Sequence, residues 1–130
     1  MQDTPIVDPA PPLPDAYLVL FAPDCVELDE SAKHALDGLL GDYKVHRAEL
    51  VYIDGYYDRS GTEEHADEMS KRMAQVVRNY LVARGIVAAS IKLAWHGEND
   101  PMVLTEDGVA EAANRSVEIR FTAKRNPLRP

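Results

Sequence analysis

Cysteine occurs once in the 130 residues, at Cys25, so no intramolecular disulfide staples the fold, and the thiol's ordinary place is as a small, half-buried hydrophobe. No apolar run approaches the roughly 18 residues that a bilayer-spanning helix needs, and Met1 to Asp15 have neither the basic start nor the apolar centre of a secretion signal. The chain as written is therefore expected to be soluble, with any export signal or lipid anchor lying outside it. Basic residues are outnumbered, 14 Lys and Arg against 22 Asp and Glu, for a formal net charge of -8. That field repels phosphate backbones and acidic membranes, which sets nucleic acid aside as a partner. A Gly-x-Ser-x-Gly elbow, a phosphate loop and a zinc-helix motif are all missing from the sequence. We read the chain as non-catalytic and free of cofactors.

What is present suffices for one globular domain, since 45% of the residues are hydrophobic. Five of the nine prolines crowd the opening segment, at Pro5, Pro9, Pro11, Pro12 and Pro14, so residues 1–15 read as a stiff tether or a disordered end. The domain is expected over 16–123, with 124–130 as an unstructured tail.

Inside those limits, Ala16 to Phe21 is a nearly continuous apolar run, which predicts a first strand buried on both faces. Leu28, Ala32, Ala35, Leu36, Leu39 and Leu40 recur at helical spacing, with Asp29 as N-cap and Gly41 placed to stop the first helix. Val45 to Ile53 reads as a second strand that ends at the Asp54-Gly55 turn. The clearest element is a second helix with the stripe Ala66, Met69, Met73, Val76, Val77, Tyr80 and Leu81, a capping box from Ser60 to Glu63, and Gly85 as terminator. Ile91, Leu93 and Trp95, then Val117, Ile119 and Phe121, alternate with polar or small residues as half-buried strands do. The order βαβαββ predicts an α/β sandwich of a mixed sheet with helices packed on one face.

Four short motifs fall on these elements in order. Gly55-Tyr56-Tyr57-Asp58-Arg59-Ser60-Gly61 forms the loop before the second helix, and Ala66 to Ala74 opens that helix. Gly97-Glu98-Asn99-Asp100-Pro101 follows the third strand, and Asn114-Arg115-Ser116-Val117-Glu118 enters the last. Together they make the stretch from Tyr17 to Phe121 resemble the OmpA-like, peptidoglycan-associated domain family. Its patterns there are Gly-His/Tyr-Thr-Asp-x-x-Gly, Asn-x-x-Leu-Ser-x-x-Arg-Ala, Gly-Glu-x-x-Pro and Asn-Arg-Arg-Val-Glu. Departures are equally visible. Ala66 replaces the asparagine, Met73 the arginine, Ser116 the second arginine of the last motif, and Ala22 the aspartate of a Phe-Asp step.

The resemblance implies a periplasmic module, tethered to the outer membrane or part of a larger envelope protein, that docks to peptidoglycan. It implies as ligand the free end of diaminopimelate in the stem peptide, a centre with one ammonium and one carboxylate. An aspartate accepts from the ammonium, here Asp58, while an arginine offers its fork to the carboxylate. Met73 stands where that arginine belongs, and a thioether carries no charge and donates no hydrogen bond. Recognition is expected to be weakened, with Arg59 or Arg115 as substitute carboxylate contacts and Tyr57 as a pocket-lining residue. Arg72 sits about 100° around the helix from Met73 and is poorly aimed. The alternative is a degenerate domain that has lost the wall and serves protein interaction or self-association, with Met69, Met73, Tyr56 and Tyr57 as an apolar contact surface on condition that they are exposed.

Plainer roles stand beside these. Asp58 can hold its own turn through an Asx hydrogen bond, Met73 can be core, and Arg115 can pair with Glu118 or Glu98. The acidic group Glu63, Glu64, His65, Asp67 and Glu68 suits a solvated helix start better than a metal site, and His96, Glu98 and Asp100 lack coordination spacing. A carboxylate pair such as Asp58 and Glu64 acting in hydrolysis is the least favoured reading.

Overall fold

The computed structural model describes residues 16–46, 48–99, 105, 108, 109 and 111–123. The tether at 1–15, the tail at 124–130, and Asp100 and Pro101 of the third motif lie outside them. The elements run β1 (Tyr17–Leu20), α1 (Glu30–His46), β2 (Ala48–Tyr56), α2 (Glu63–Ala83), β3 (Ile91–Trp95) and β4 (Ser116–Ala123), with short 3-10 turns at Ala88–Ser90 and Ala112–Asn114. The strands form one sheet in the order β1-β4-β2-β3. β4 is antiparallel to both β1 and β2, and β2 is parallel to β3, so the sheet is mixed as expected.

Alternation divides the sheet into two unlike faces. Val19, Val51, Ile53, Val117 and Ile119 are buried and meet Leu36 and Leu39 of α1 and Met69, Met73, Val77 and Leu81 of α2 in one core. The other face carries Tyr52, Asp54, Glu118 and Arg120, where the Arg120 guanidinium lies 5.3 Å from the Tyr52 ring centre and 3.6 Å from Asp54. Aliphatic residues in β1 and β2 thus bury one side only, and the helices supply the second layer.

Several local expectations are corrected. β1 is an edge strand, and only Val19 of its four residues is fully buried, while Leu18 and Leu20 are exposed. An apolar run does not distinguish a central strand from an edge; the strand order does. Helix α1 passes through Gly41 to His46, because the loss of roughly 1 kcal/mol at a mid-helix glycine is offset by packing of Leu39, Leu40 and Tyr43 against the core. Asp29 caps it as expected, accepting from the Ala32 amide at 2.7 Å. Strand β2 is displaced toward its C-terminus relative to the expected range and runs through Gly55 to Tyr56. The cap of α2 is Thr62, whose hydroxyl accepts from the His65 amide at 3.0 Å, and not Ser60. The helix ends as expected before Gly85, with the Arg84 and Gly85 amides turned onto the Leu81 and Val82 carbonyls.

Two glycines set how closely α2 approaches the sheet. A Cβ on Gly55 would run into the Ser70 carbonyl oxygen, so the helix backbone rests directly on β2 at this point. Gly97, at φ +57°, lies against Asp67 and donates its amide to the Ser70 hydroxyl at 3.0 Å, while its carbonyl accepts from Tyr57 at 2.7 Å. These contacts hold the end of β2, and the loop that follows it, under the first turns of α2.

Candidate functional site

Asp58 follows β2 by two residues and is fully buried. Its Oδ1 accepts from the Ser60 hydroxyl at 2.6 Å and the Ser60 amide at 3.2 Å, the Asx arrangement that the spacing allows. Its Oδ2 accepts from the Glu111 amide at 3.0 Å and from Arg115 Nη1 at 2.5 Å. Every face of the carboxylate is therefore engaged, since a carboxylate offers about four acceptor positions.

Arg115 is also buried, 6% exposed, and immediately precedes β4. Its Nε donates to the Phe21 carbonyl at 3.1 Å, and its own carbonyl accepts from the Phe21 amide at 2.9 Å. One side chain thus joins the end of β1, the entry to β4 and the loop after β2. The expected pairing of Arg115 with Glu118 or Glu98 is corrected to Asp58. Glu118 projects from the open face of the sheet and lies 3.5 Å from Arg120 instead.

Burial by itself raises the Asp58 pKa, but the Ser60 hydroxyl, the Glu111 amide and Arg115 outweigh it and hold the carboxyl below the usual range. The same burial, with the charges of Asp24 and Asp58 nearby, raises the Tyr57 phenol, a rise that the hydrogen bond from the Asp24 amide opposes.

Tyr57 is buried beside Asp58, with its hydroxyl accepting from the Asp24 amide at 2.9 Å and lying 3.3 Å from Asp24 Oδ1. Asp24, at φ 52°, in turn meets His65 Nε2 at 2.8 Å, and the His65 and Tyr57 rings pack edge to face with centres 5.6 Å apart. The loop between β1 and α1 is thereby strapped to the first turn of α2, across Tyr57. Tyr56 points to the other face and stacks on His96 at 4.8 Å.

Arg59 is half-buried, and its carbonyl accepts from the Gly108 amide at 2.6 Å. Met73 is fully buried in the core stripe with Met69, Ala74 and Val77. Arg72 is exposed and pairs along the helix with Glu68 at 2.7 Å, in keeping with its expected outward aim. Of the five residues singled out in sequence, the structure joins Asp58 to Arg115, places Tyr57 alongside, and puts Met73 in the core.

The Asp24–His65 strap and the amide of Glu111 carry no sequence signal, since each joins segments far apart in the chain. Ser60, two positions after Asp58, does have one, the Asx spacing. Among the described residues no group of three or more His, Cys, Asp or Glu is arranged to hold a metal, and no helix is long and apolar enough to cross a membrane.

A sequence model of the OmpA family matches residues 20–115, most of the described domain. The chain is 34% identical to a peptidoglycan-associated lipoprotein of Pseudomonas putida over 100 residues, covering 77% of this chain and 60% of that protein. It is 37% identical over 87 residues to outer membrane protein A of Klebsiella aerogenes, covering 65% of this chain and 25% of that one. The chain thus spans less than two thirds of the length of the first of these relatives and a quarter of the second. Among solved structures, the peptidoglycan-associated lipoprotein of Burkholderia pseudomallei superposes with a TM-score of 0.73 at 24% identity, covering 82% of this chain and 90% of the other. The OmpA-like domain of FopA1 from Francisella tularensis superposes at 0.72 with 20% identity, covering 85% and 75%, which shows the shared fold.

Proposed function

Because the chain belongs to the OmpA family, we propose that it is a non-catalytic, periplasmic envelope module that docks weakly to peptidoglycan through the loop at Asp58. The reading is supported by the similarity to a protein named peptidoglycan-associated lipoprotein. One observation carries the word weakly: the Asp58 carboxylate is already saturated, and one of its donors is a guanidinium from the same molecule.

A zwitterionic stem-peptide end needs an acceptor for its ammonium and a cation for its carboxylate. For the ammonium to reach Asp58, one of the present donors must leave, and Arg115 is the donor whose charge the ammonium would replace. The displaced guanidinium would then be a cation near the ligand carboxylate. Met73 supplies neither charge nor donor. A missing charge-assisted contact removes about 1.5 to 3 kcal/mol, or roughly ten- to over a hundred-fold in affinity.

Sedimentation with isolated diaminopimelate-type peptidoglycan tests this directly. The native chain should co-sediment weakly and be released by free diaminopimelate, Asp58→Asn should remain in solution, and Met73→Arg should bind more tightly if circular dichroism shows it folded. A native chain that stays wholly in solution while Met73→Arg binds would sink the docking reading and leave the protein-interaction alternative. Soluble sugar or peptide released from the wall would show instead that the chain is an enzyme.

A further inference from the structure

Strand β1 is one edge of the sheet, and among the described residues it pairs with β4 alone. The amide of Phe21 donates to the carbonyl of Arg115, so these two residues form a hydrogen-bonded pair just beyond the end of β1. Antiparallel ladders alternate with a period of two. Val19 and Tyr17 therefore turn their backbone groups toward β4, and Leu18 and Leu20 turn theirs toward the free edge.

The same two residues are the exposed apolar ones, 37% and 51% exposed. Edge strands are commonly blunted by lysine, proline or a bulge, and β1 has none of these in its sequence or pairing. The opposite edge, β3, carries Lys92.

Beside β1 runs a groove of about 290 Å³, lined by Leu18, Val19 and Leu20 on one side and by Asp29, Ser31, Ala32 and Ala35 at the start of α1 on the other. The helix wall is built of small side chains, which leaves room for those of an added strand. Toward the far end of α1, the Tyr17 hydroxyl donates to Asp42 at 2.5 Å and ties strand to helix. At the near end stands Asp29, whose chain neighbour Glu30 lies 3.8 Å from Lys33.

We propose that the free edge of β1 is a strand-addition site for an extended peptide that alternates apolar and basic residues. Among the described residues the outward amides and carbonyls of Leu18 and Leu20 have no backbone partner, and such groups call for another extended backbone. Side chains on one face of the incoming strand lie beside Leu18 and Leu20, and those on the other lie over Ala32 and Ala35. Charge selects the partner. Asp29 lines the groove and Asp42, bonded to the Tyr17 hydroxyl, stands by the opposite end of β1, within a chain of formal net charge -8. A second copy paired antiparallel through β1 would set the Asp29 end of each protomer against the Asp42 end of the other, so like charges oppose that occupant.

The test uses fluorescein-labelled peptides of about eight residues, one alternating Lys and Val and one alternating Glu and Val, a length that spans a typical added strand. Fluorescence anisotropy with the full chain should show the Lys-Val peptide binding and the Glu-Val peptide not, with hydrogen exchange slowed at the amides of Leu18 and Leu20. Leu18→Pro removes an outward-facing donor while leaving the ladder to β4 intact, and Leu20→Lys adds an opposing charge at the edge. Each should weaken binding at least about ten-fold. Should Leu18→Pro fail to fold, Leu20→Lys and the exchange pattern still decide. Equal binding of both peptides, no binding of either, or affinity unchanged in folded variants would overturn the proposal. So would a concentration-dependent dimer of the native chain that Leu20→Lys abolishes, since the occupant would then be a second copy.

Discussion

Arg115 donates from Nη1 to Asp58 across 57 positions of sequence, and both side chains are buried. The pair closes the loop after β2 against the entry to β4, so the aspartate of the family pattern serves here as a structural acceptor. Breaking such a pair by removing one partner leaves the other as an uncompensated buried charge, at a cost of about 3 to 5 kcal/mol. Asp58→Ala and Arg115→Met should each lower stability by that order in urea denaturation. The double variant should lose less than the two single losses added together, because no orphan charge remains.

The pH dependence follows from the depressed pKa of Asp58. In the unfolded chain the carboxyl titrates near its ordinary value of about 4, and in the folded chain below it, so the unfolded state binds the proton first as pH falls. The contribution of this group is present in full above the unfolded pKa and disappears as pH drops through the folded one. Thermal melts from neutral pH downward should show the native chain losing stability below about pH 5. Asp58→Asn should show a smaller slope there from a lower starting point.

Gly55 is where α2 rests on β2, and the Ser70 carbonyl occupies the space a Cβ would need. The obstacle is backbone, so no side-chain rotation relieves it. Gly55→Ala should cost about 1 to 3 kcal/mol as an overpacked substitution. It should also speed hydrogen exchange at Tyr57 and Gly97, whose bonds depend on that approach.

Ser60 and Thr62 lie two positions apart and act on different groups. Thr62→Ala removes the cap of α2 and should cost about 1 kcal/mol at any pH between 4 and 8, read from denaturant midpoints. Ser60→Ala removes a donor to Asp58, so its effect should fade as the solution becomes acidic enough to protonate that carboxyl. Equal pH profiles for the two variants would contradict the assignment of Ser60 to Asp58.

The legible parts of this protein are those whose signal is local. The stripe of α2, the Asp29 cap and the alternation of β4 each depend on neighbours within a turn or two, and all appear where the residues place them, whereas in β3 the expected alternation fails at its end, where Trp95 is exposed and Ala94 half-buried. The burial of Met73 was equally readable from its place in that stripe. The passage of α1 through Gly41 was not, because the glycine's penalty is local while the packing of Tyr43 that outweighs it is supplied by another element, the ring of Phe121 in β4, 5.8 Å away.

By itself the sequence determined the order of elements, the family pattern at Asp58 and the absence of an arginine at position 73, since all of these reside in residue identity and spacing. Only the tertiary structure decided which cation Asp58 meets and which strand is left at the edge. Both depend on β4 returning between β1 and β2, a long-range pairing that brings Arg115 to Asp58 and places β1 at the edge of the sheet.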